Sequence, residues 1–364
     1  MQRRRAMIAV AALLWLLTAV FVTVTVLPLS NSHVWWIRAM DFPRVQYVVA
    51  ILPVLALCLA FGFPGRWVAV ALLLACLAWQ VSRILPYTPI WPKEIRLAPE
   101  ATGAITVMSL NVLRENERYG DVIAAVQAED PDILFLMEIN DAWEQALEPL
   151  LARYPSVLRH AKDNHYGLIA ATRLPVHDLR IEYLTKDPTP TAFGELEAPG
   201  GQVFRFVGLH PQPPVPGVDT KERDAQLVYS ARFARDSDVP VIVMGDFNAV
   251  VWSDVTRRFK RIGQYLDPRI GRGLLPSFDA NHPILRFPID QLYVTPDIAV
   301  VSFARGPYVG SDHFPMVARL RIDPELAATL NRAPDGVDSA ELERLSEIVE
   351  KHRLELKAID RTPR

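Results

Sequence analysis

Six short segments of the chain join an apolar, strand-like run to polar residues that suit a metal ion or a phosphate group. These polar residues are Asn111, Glu138, His210, Asp246 with Asn248, Asp290, and Asp312 with His313. One carboxylate after a buried strand is often only a turn residue. Six such segments in one chain predict a single site that is assembled from several strand ends.

Hydrolysis of a phosphate ester needs a nucleophilic water, a group that stabilises charge on the non-bridging oxygens, and help for the leaving oxygen. A hard divalent cation such as Mg²⁺ supplies much of the second and third, and it prefers oxygen ligands. Glu138 follows the wholly apolar run 133–137 and is the best candidate ligand. Asn111 offers an amide oxygen and Asp312 a second carboxylate, which makes all three candidates for a metal site.

His313 and Asp290 form a candidate acid–base pair. His313 follows a turn of small residues in the sequence Gly-Ser-Asp-His-Phe-Pro, and Asp290 lies in the short segment Ile-Asp-Gln-Leu-Tyr. A carboxylate at the second ring nitrogen fixes the tautomer of a histidine and stabilises its imidazolium form. His313 would then act as a general base or, when protonated, as a cationic phosphate ligand. We favour the general base, and the other role stays open.

Asp246 and Asn248 share the sequence Gly-Asp-Phe-Asn, which is the most specific local pattern in the chain. Residues two apart on an extended segment point the same way, so both side chains can face one phosphate. The pattern alone also fits a plain Asx turn. Its position ahead of the Asp290 and His313 segments favours a functional interpretation.

Together the six segments resemble the endonuclease/exonuclease/phosphatase superfamily, the metal-dependent phosphoesterases related to pancreatic deoxyribonuclease. The resemblance covers roughly residues 105–322. It implies a four-layer α/β/β/α sandwich of two mixed sheets, with the active site at one edge. Short β-rich runs alternate with amphipathic stretches from residue 105 onward, as a layered α/β fold requires.

The resemblance also implies a role for each site residue. Asp246 would handle the proton of the water or the leaving group, Asn248 would donate to a phosphoryl oxygen, and His210 would be a further donor. Glu138, Asn111 and Asp312 would hold Mg²⁺ or Mn²⁺, directly or through water. The other histidines of this region lack a convincing metal spacing and are predicted to lie at the surface or at a substrate rim: His160, His165, His177 and His282.

The first third of the chain carries three long apolar runs, at residues 6–27, 45–61 and 67–85. A membrane-spanning helix needs about 20 mostly apolar residues, and the first run meets that length. The second run is shorter and contains Pro53, and the third ends in polar residues. We predict about three transmembrane helices. A cleavable signal peptide is the alternative for the first run, but the run is longer than the apolar core of such a peptide and no cleavage site follows it.

The basic residues Arg3, Arg4 and Arg5 precede the first run and predict an amino terminus inside the cell. An odd number of spans then places the rest of the chain outside the cytoplasm. The prediction is a multi-pass protein of the inner (cytoplasmic) membrane with a periplasmic catalytic domain.

The composition changes again on both sides of the catalytic region. Four prolines mark residues 86–102 as an extended linker between the membrane region, residues 1–85, and the catalytic domain, residues 103–322. Residues 323–364 are predicted to contain an amphipathic helix, whose seam residues recur at steps of three and four. They are Leu342, Leu345, Val349, His352, Leu356 and Ile359. Such a helix could form a homodimer through a coiled coil or pack on its own domain.

Between residues 100 and 320 there are 22 lysines and arginines against 29 aspartates and glutamates, so net charge does not favour binding to nucleic acid. We predict a membrane-anchored, metal-dependent phosphoesterase. Its substrate is left open between nucleic acid and phospholipid headgroups. A non-catalytic binding protein would be expected to lack some of the site residues, and a transporter would carry acidic groups within the spans.

Overall fold

The computed structural model describes residues 2–100, 102–185, 189–235 and 239–357. The chain forms two compact units. The first comprises Met1–Trp91 with Pro214–Thr220, and the second comprises Pro92–Pro213 with Lys221–Arg364.

The first unit is helical. Its helices are α1 (Gln2–Val26), α2 (Trp35–Ala39), α3 (Arg44–Ala60) and α4 (Arg66–Ile84). Two stretches, Gln2–Leu29 and Arg66–Tyr87, are long and apolar enough to cross a membrane by length and composition, whereas α3 is apolar but has only 17 residues. Several large apolar side chains face outward and are more than 60% exposed, as lipid-facing residues would be: Ile8, Leu16, Val49 and Trp67.

A buried polar network ties the helices of this unit together. Arg44 Nη1 donates to Gln80 Oε1 at 2.7 Å, and its other terminal nitrogen lies 2.5 Å from Asp41 Oδ1. Gln80 in turn donates to Thr25 Oγ1 at 3.0 Å. Buried polar groups are costly unless they are hydrogen-bonded, so these pairs account for polar residues within an otherwise apolar bundle.

The second unit contains two mixed β-sheets. In chain order the strands are β1 (Ile105–Asn111), β2 (Ile133–Met137), β3 (Ser156–His160), β4 (Leu168–Thr172), β5 (Val176–Glu182), β6 (Thr191–Glu197), β7 (Val203–Leu209), β8 (Val241–Asp246), β9 (Asp290–Val294), β10 (Ile298–Arg305) and β11 (Met316–Ile322). One sheet has the order β10-β11-β1-β2-β4-β3 and the other has the order β5-β6-β7-β8-β9.

The helices of this unit cover the outer faces of the sheets. They are α5 (Tyr119–Glu129), α6 (Asp141–Leu151), α7 (Lys221–Ala234), α8 (Asp254–Ile262), α9 (Pro324–Leu330) and α10 (Ser339–Lys357). Phe135 of the first sheet and Phe206 of the second meet in the core between the sheets. Trp143 of α6 packs on the first sheet, and Leu227 of α7 packs on the second. The predicted four-layer sandwich is confirmed.

The predicted linker and the helix α10 both place side chains in the core of the second unit. Within the residues predicted as a linker, Ile95 is fully buried in the core between the sheets. Leu345 of α10 is buried among residues of the second sheet and α7, so this helix contacts its own domain. The seam positions Leu342, Leu345 and Val349 lie in α10, whereas Ile359 lies outside the described residues.

Candidate active site

The strand ends that carry the predicted site residues meet at one edge of the sandwich. β1 and β2 are parallel neighbours, which brings Asn111 to the end of β2 beside Glu138. β7 and β8 are also parallel, and β9 runs antiparallel to β8, so that Asp246 is paired with Asp290. Parallel order places carboxyl ends at the same edge, and the antiparallel strand contributes its first residue.

Gly245 allows this edge to form. Its φ is 142°, and a Cβ atom at this position would lie 2.1 Å from the carbonyl oxygen of Leu209 on the neighbouring strand. Any side chain would therefore push β7 and β8 apart just before Asp246. Glu138 and Asn248 have φ values of 63° and 47°, left-handed conformations that are uncommon for residues other than glycine. Such conformations are often found at functional sites.

His313 bridges two buried carboxylates. Its Nδ1 lies 2.8 Å from Asp290 Oδ2, and its Nε2 lies 3.7 Å from Asp246 Oδ2. The ring is held from its backbone, because His313 N donates to Ser311 Oγ, which itself donates to the carbonyl oxygen of Asn111. The structure therefore forms the predicted His313–Asp290 pair and adds Asp246 as a second partner.

The electrostatics of this group favour a protonated His313. Burial lowers the pKa of His313, but the charges of Asp290 and Asp246 outweigh burial and raise it well above the ordinary value. Burial raises the pKa of Asp246, against the opposing charge of His313. A protonated imidazole can bind a phosphoryl oxygen, which is the second of the two roles left open for His313, and the carboxylate of Asp246 beside it can accept a proton.

His210 lies on the other side of Asp246. Its Nε2 is 3.8 Å from Asp246 Oδ2, and burial lowers the pKa of His210 to about 4, so that the ring is neutral near pH 7. Its buried Nδ1 has no hydrogen-bond partner among the described residues. A polar atom left without a partner at the predicted site is in keeping with a role toward substrate.

A hydrogen bond to the side chain of Asp246 fixes the position of Asn248, as in an Asx turn. Its backbone N–H donates to Asp246 Oδ1 at 2.8 Å, and its side-chain amide donates to the carbonyl oxygen of Pro211 at 2.9 Å. Asp246 Oδ2 is the oxygen left to face His210 and His313. The two residues thus form one turn at the site, and the amide of Asn248 lies beside the loop that follows His210.

The predicted metal residues lie around Glu138. Asn111 Nδ2 donates to Glu138 Oε1 at 2.9 Å, and Asn111 Oδ1 accepts from the backbone N–H of Leu113. Burial raises the pKa of Asp312, which also interacts electrostatically with Glu138. Asp312 is not part of either close cluster of possible metal-ligating atoms among the described residues.

The donor chemistry of these residues fits a divalent cation. Burial raises the pKa of Glu138, but the interactions with His210, His165 and Asn111 outweigh it and lower the pKa overall. An ionised carboxylate at a sheet edge is a ligand that Mg²⁺ and Mn²⁺ accept. Glu138 therefore fits the implied metal, and Asn111 would fit it once its side-chain amide turned its oxygen toward Glu138.

His165 is exposed, as predicted from the sequence, and the structure adds a contact that was not predicted: His165 Nδ1 lies 3.0 Å from Glu138 Oε2. The neighbouring Tyr166 ring lies 5.9 Å from the His210 ring. Spacing along the chain could not reveal this. The only sequence signal is that the loop 161–167 precedes β4, the antiparallel partner of the strand that ends before Glu138.

Two arginines lie beside Phe314, the residue after His313. The guanidinium carbons of Arg305 and Arg286 lie 4.2 and 5.1 Å from the ring centroid of Phe314. Their terminal nitrogens donate to the backbone oxygens of Pro276 and Ala280. Burial and the charge of Arg286 lower the pKa of Arg305. Arg286 and Arg305 therefore form a positive rim beside Phe314, although the domain as a whole is acidic.

Comparison with known proteins agrees with this arrangement. A model of the Endonuclease/Exonuclease/phosphatase family matches residues 108–313, more than half of the chain. No curated protein sequence matches the chain.

Solved structures resemble the second unit in fold. A D. rerio TDP2 humanized by 14 mutations has a TM-score of 0.52 at 17% identity, over 60% of this chain and 100% of that chain. D. rerio TDP2 complexed with single strand DNA product has a TM-score of 0.51 at 16% identity, over 60% of this chain and 99% of that chain. The endonuclease/exonuclease/phosphatase from Bacteroides vulgatus has a TM-score of 0.50 at 18% identity, over 60% of this chain and 99% of that chain.

Proposed function

Because the chain belongs to the endonuclease/exonuclease/phosphatase family, whose members are hydrolases that act on phosphate esters, we propose that it is a membrane-anchored, divalent-metal-dependent phosphoesterase. One observation carries the proposal. Asp246, Asp290 and His313 have ligand or proton-transfer atoms within 4.8 Å of one another, at the sheet edge where Glu138 also lies.

We assign the roles from the contacts at this edge. Asp246 Oδ2 accepts the proton of the attacking water, because burial raises its pKa toward neutrality. His313, kept protonated by Asp290 and Asp246, binds a non-bridging phosphoryl oxygen. His210, which is neutral near pH 7, is a second donor toward that oxygen, and Asn248 is a further donor if its amide leaves Pro211 when substrate binds.

The metal is proposed to be Mg²⁺ or Mn²⁺, held by Glu138 with Asn111 and Asp312. When bound, it would polarise the phosphoryl group and stabilise charge on the oxygens. Glu138 remains ionised for this task because its pKa is lowered, and the amide of Asn111 orients the carboxylate. In this scheme water attacks phosphorus directly, the bond from phosphorus to the leaving oxygen breaks, the leaving oxygen departs as an alcohol after taking up a proton, and no covalent enzyme intermediate forms.

Membrane anchoring is proposed from the apolar helices of the first unit. Two of them have the length and composition of a span, and α3 is a shorter third. With three spans and the basic amino terminus inside, the catalytic domain would be periplasmic. Alkaline phosphatase fused after Ile322 should then be active and green fluorescent protein dark. The opposite result would place the enzyme in the cytoplasm and remove one crossing.

Two substrate classes follow from different observations. D. rerio TDP2, similar in fold, has been crystallised with a single strand DNA product, which makes nucleic acid one class to test. Apolar helices that hold the chain at a bilayer make phospholipid headgroups the other. The positive rim beside Phe314 suits the phosphate groups of either class.

The deciding experiment is an activity panel on the purified full chain in detergent, with Mg²⁺ or Mn²⁺, across DNA, RNA, phospholipids, sphingomyelin and inositol phosphates. Asp246→Asn serves as the inactive variant, and Asp254→Asn, an exposed residue on α8, is the matched control. We expect hydrolysis that Asp246→Asn abolishes and Asp254→Asn preserves. Equal activity in both variants on every substrate would exclude Asp246 as the proton acceptor. Binding to a partner without turnover would favour a non-catalytic use of the fold.

A further inference from the structure

Glu138 has a second set of close neighbours that the proposed function does not use. His165 Nδ1 lies 3.0 Å from Glu138 Oε2. Glu115 adds a carboxylate, and one ligand atom from each of these three residues lies within 4.8 Å of the other two. None of the three belongs to the buried group of Asp246, Asp290 and His313.

The backbone holds His165 in this position. Ile139, the residue after Glu138, donates its N–H to the carbonyl oxygen of Gly167 at 3.1 Å, and its own carbonyl oxygen accepts from Lys162 N at 3.0 Å. The loop 161–167 is therefore bonded on both sides to the residue next to Glu138. Within the loop, Tyr166 N donates to Asn164 Oδ1, which shapes the turn around His165.

Gly167 is required for this close approach. A Cβ atom at Gly167 would lie 1.7 Å from the carbonyl oxygen of Ile139 and 2.9 Å from Lys162 N. Such contacts exclude every other residue without a shift of the backbone. The side chain of His165 is 54% exposed while that of Glu138 is 12% exposed, so the imidazole lies at the open side of the carboxylate.

The distance between His165 Nδ1 and Glu138 Oε2 has two physical interpretations. A distance of 3.0 Å is that of a hydrogen bond, and it is also the separation of two adjacent ligands that each lie about 2.1 Å from one cation. A nitrogen ligand favours a transition metal over Mg²⁺, which prefers oxygen ligands and retains its waters. Mn²⁺ accepts the same oxygen ligands as Mg²⁺ and, as a transition metal, tolerates a nitrogen among them.

We propose that His165 is a nitrogen ligand of the cation bound by Glu138, and that it makes the site select Mn²⁺ over Mg²⁺. The inference rests on the proposed function, which supplies a metal at Glu138. Glu115 is the third member of this cluster, but its Oε1 is paired with Arg114 Nη2 at 2.7 Å, which offsets its charge, so the proposal rests on His165 and Glu138.

The test is metal binding by the full chain in detergent, independent of turnover. Free Mn²⁺ is measured by electron paramagnetic resonance, Mg²⁺ by competition against Mn²⁺, and nitrogen ligation by the ¹⁴N modulation of the electron spin echo. The variants are His165→Gln and Glu138→Gln. His177→Gln is the matched control, because His177 is also exposed and lies 3.3 Å from a carboxylate, that of Glu197.

We expect His165→Gln to weaken Mn²⁺ binding by roughly 10-fold, to leave Mg²⁺ binding unchanged, and to remove a ¹⁴N signal that His177→Gln preserves. Unchanged Mn²⁺ affinity and ¹⁴N modulation in His165→Gln would overturn the inference. An equal weakening of Mn²⁺ and Mg²⁺ binding in His165→Gln would also overturn it, since His165 would then only orient Glu138.

Glu138→Gln separates this inference from the function on which it rests. It should weaken binding of both metals. If it changes neither, the metal site of the proposed function is wrong at Glu138. If it removes both while His165→Gln changes nothing, the phosphoesterase proposal stands and only the nitrogen ligand is excluded.

Discussion

Asp246 and Asp290 are register partners across the antiparallel strands β8 and β9, so that two buried carboxylates lie side by side. Two negative charges on paired residues repel each other, so ionisation of both carboxylates at once is disfavoured. A protonated His313 offsets this repulsion, because its two ring nitrogens face one carboxylate each. The three groups therefore act as one electrostatic unit, and the protonation of each depends on the other two.

This arrangement predicts strong coupling between Asp290 and His313. We expect His313→Ala and Asp290→Asn each to lower kcat by roughly 100-fold or more. The double variant should lose far less than the product of the two, because removal of either residue already disables the pair. Steady-state kinetics on the four enzymes of the cycle measures the coupling. Losses that multiply would show that the two residues act independently.

Metal removal should stop the reaction without unfolding the protein. EDTA is expected to abolish hydrolysis, and Mn²⁺ or Mg²⁺ to restore it. Added metal should also raise the unfolding temperature of the wild type, because a ligand that binds only the folded state stabilises it. Glu138→Gln should lose both effects, yet unfold at the wild-type temperature without metal, since glutamine can keep the contact with Asn111.

The exposed Glu129 provides the control for that experiment. Glu129→Gln should retain the metal-dependent rise in unfolding temperature and the restoration of activity. A Glu138→Gln variant that is still stabilised by metal to the wild-type extent would place the cation elsewhere.

The positive rim should act on substrate binding. Arg305→Gln and Arg286→Gln each remove a charge beside Phe314, so KM for an anionic substrate should rise several-fold with kcat nearly unchanged. The effect should shrink at high salt, where exposed charges are screened. Arg153→Gln, which removes an exposed arginine paired with Asp130, is the control and should leave KM unchanged. A fall in kcat alone would instead indicate a role in the chemical step.

Apolar runs that end in a polar residue predicted β1, β2, β7 and β8 well, because central strands of a covered sheet are apolar on both faces. β5 (Val176–Glu182) was not predicted. It is an edge strand whose apolar residues are separated by charged ones, and its pairing with β6 rather than its composition makes it a strand.

The residues of the candidate site also divide into those that the sequence predicts and those that only the folded chain brings together. Residues at strand ends, such as Glu138 and Asp246, could be predicted from the sequence, because the strand itself marks their position. The contact of His165 with Glu138 could not be, because it depends on the antiparallel register of β2 with β4 and on the loop that Gly167 allows. The protonation of His313 also depends on the second carboxylate, Asp246, whose position only the folded chain reveals.

We expect His160, which is not one of the site residues, to make the stability of the protein depend on pH. Burial, followed by the charge of Lys162, lowers its pKa below the ordinary 6.5, and its Nε2 lies 3.2 Å from the Tyr183 hydroxyl. The unfolded chain therefore binds a proton more tightly than the folded one, so the free energy of unfolding falls as pH decreases through 6.5. His160→Gln should reduce this acid loss in thermal unfolding. An equal loss in wild type and His160→Gln would exclude His160 as the cause.

The docking of α10 gives the last prediction. Leu345 is 6% exposed within the core formed by the second sheet and α7, and Ser346 Oγ accepts from Arg232 Nε at 2.7 Å. Truncation of a buried leucine leaves a cavity, so Leu345→Ala should lower the free energy of unfolding by about 2 to 4 kcal/mol. Leu354→Ala, at a position 59% exposed on the same helix, should have almost no effect. Light scattering should give the same molecular mass for both variants as for the wild type. A Leu345→Ala protein of unchanged stability that converts a dimer to monomers would instead assign this seam to a coiled coil between two chains.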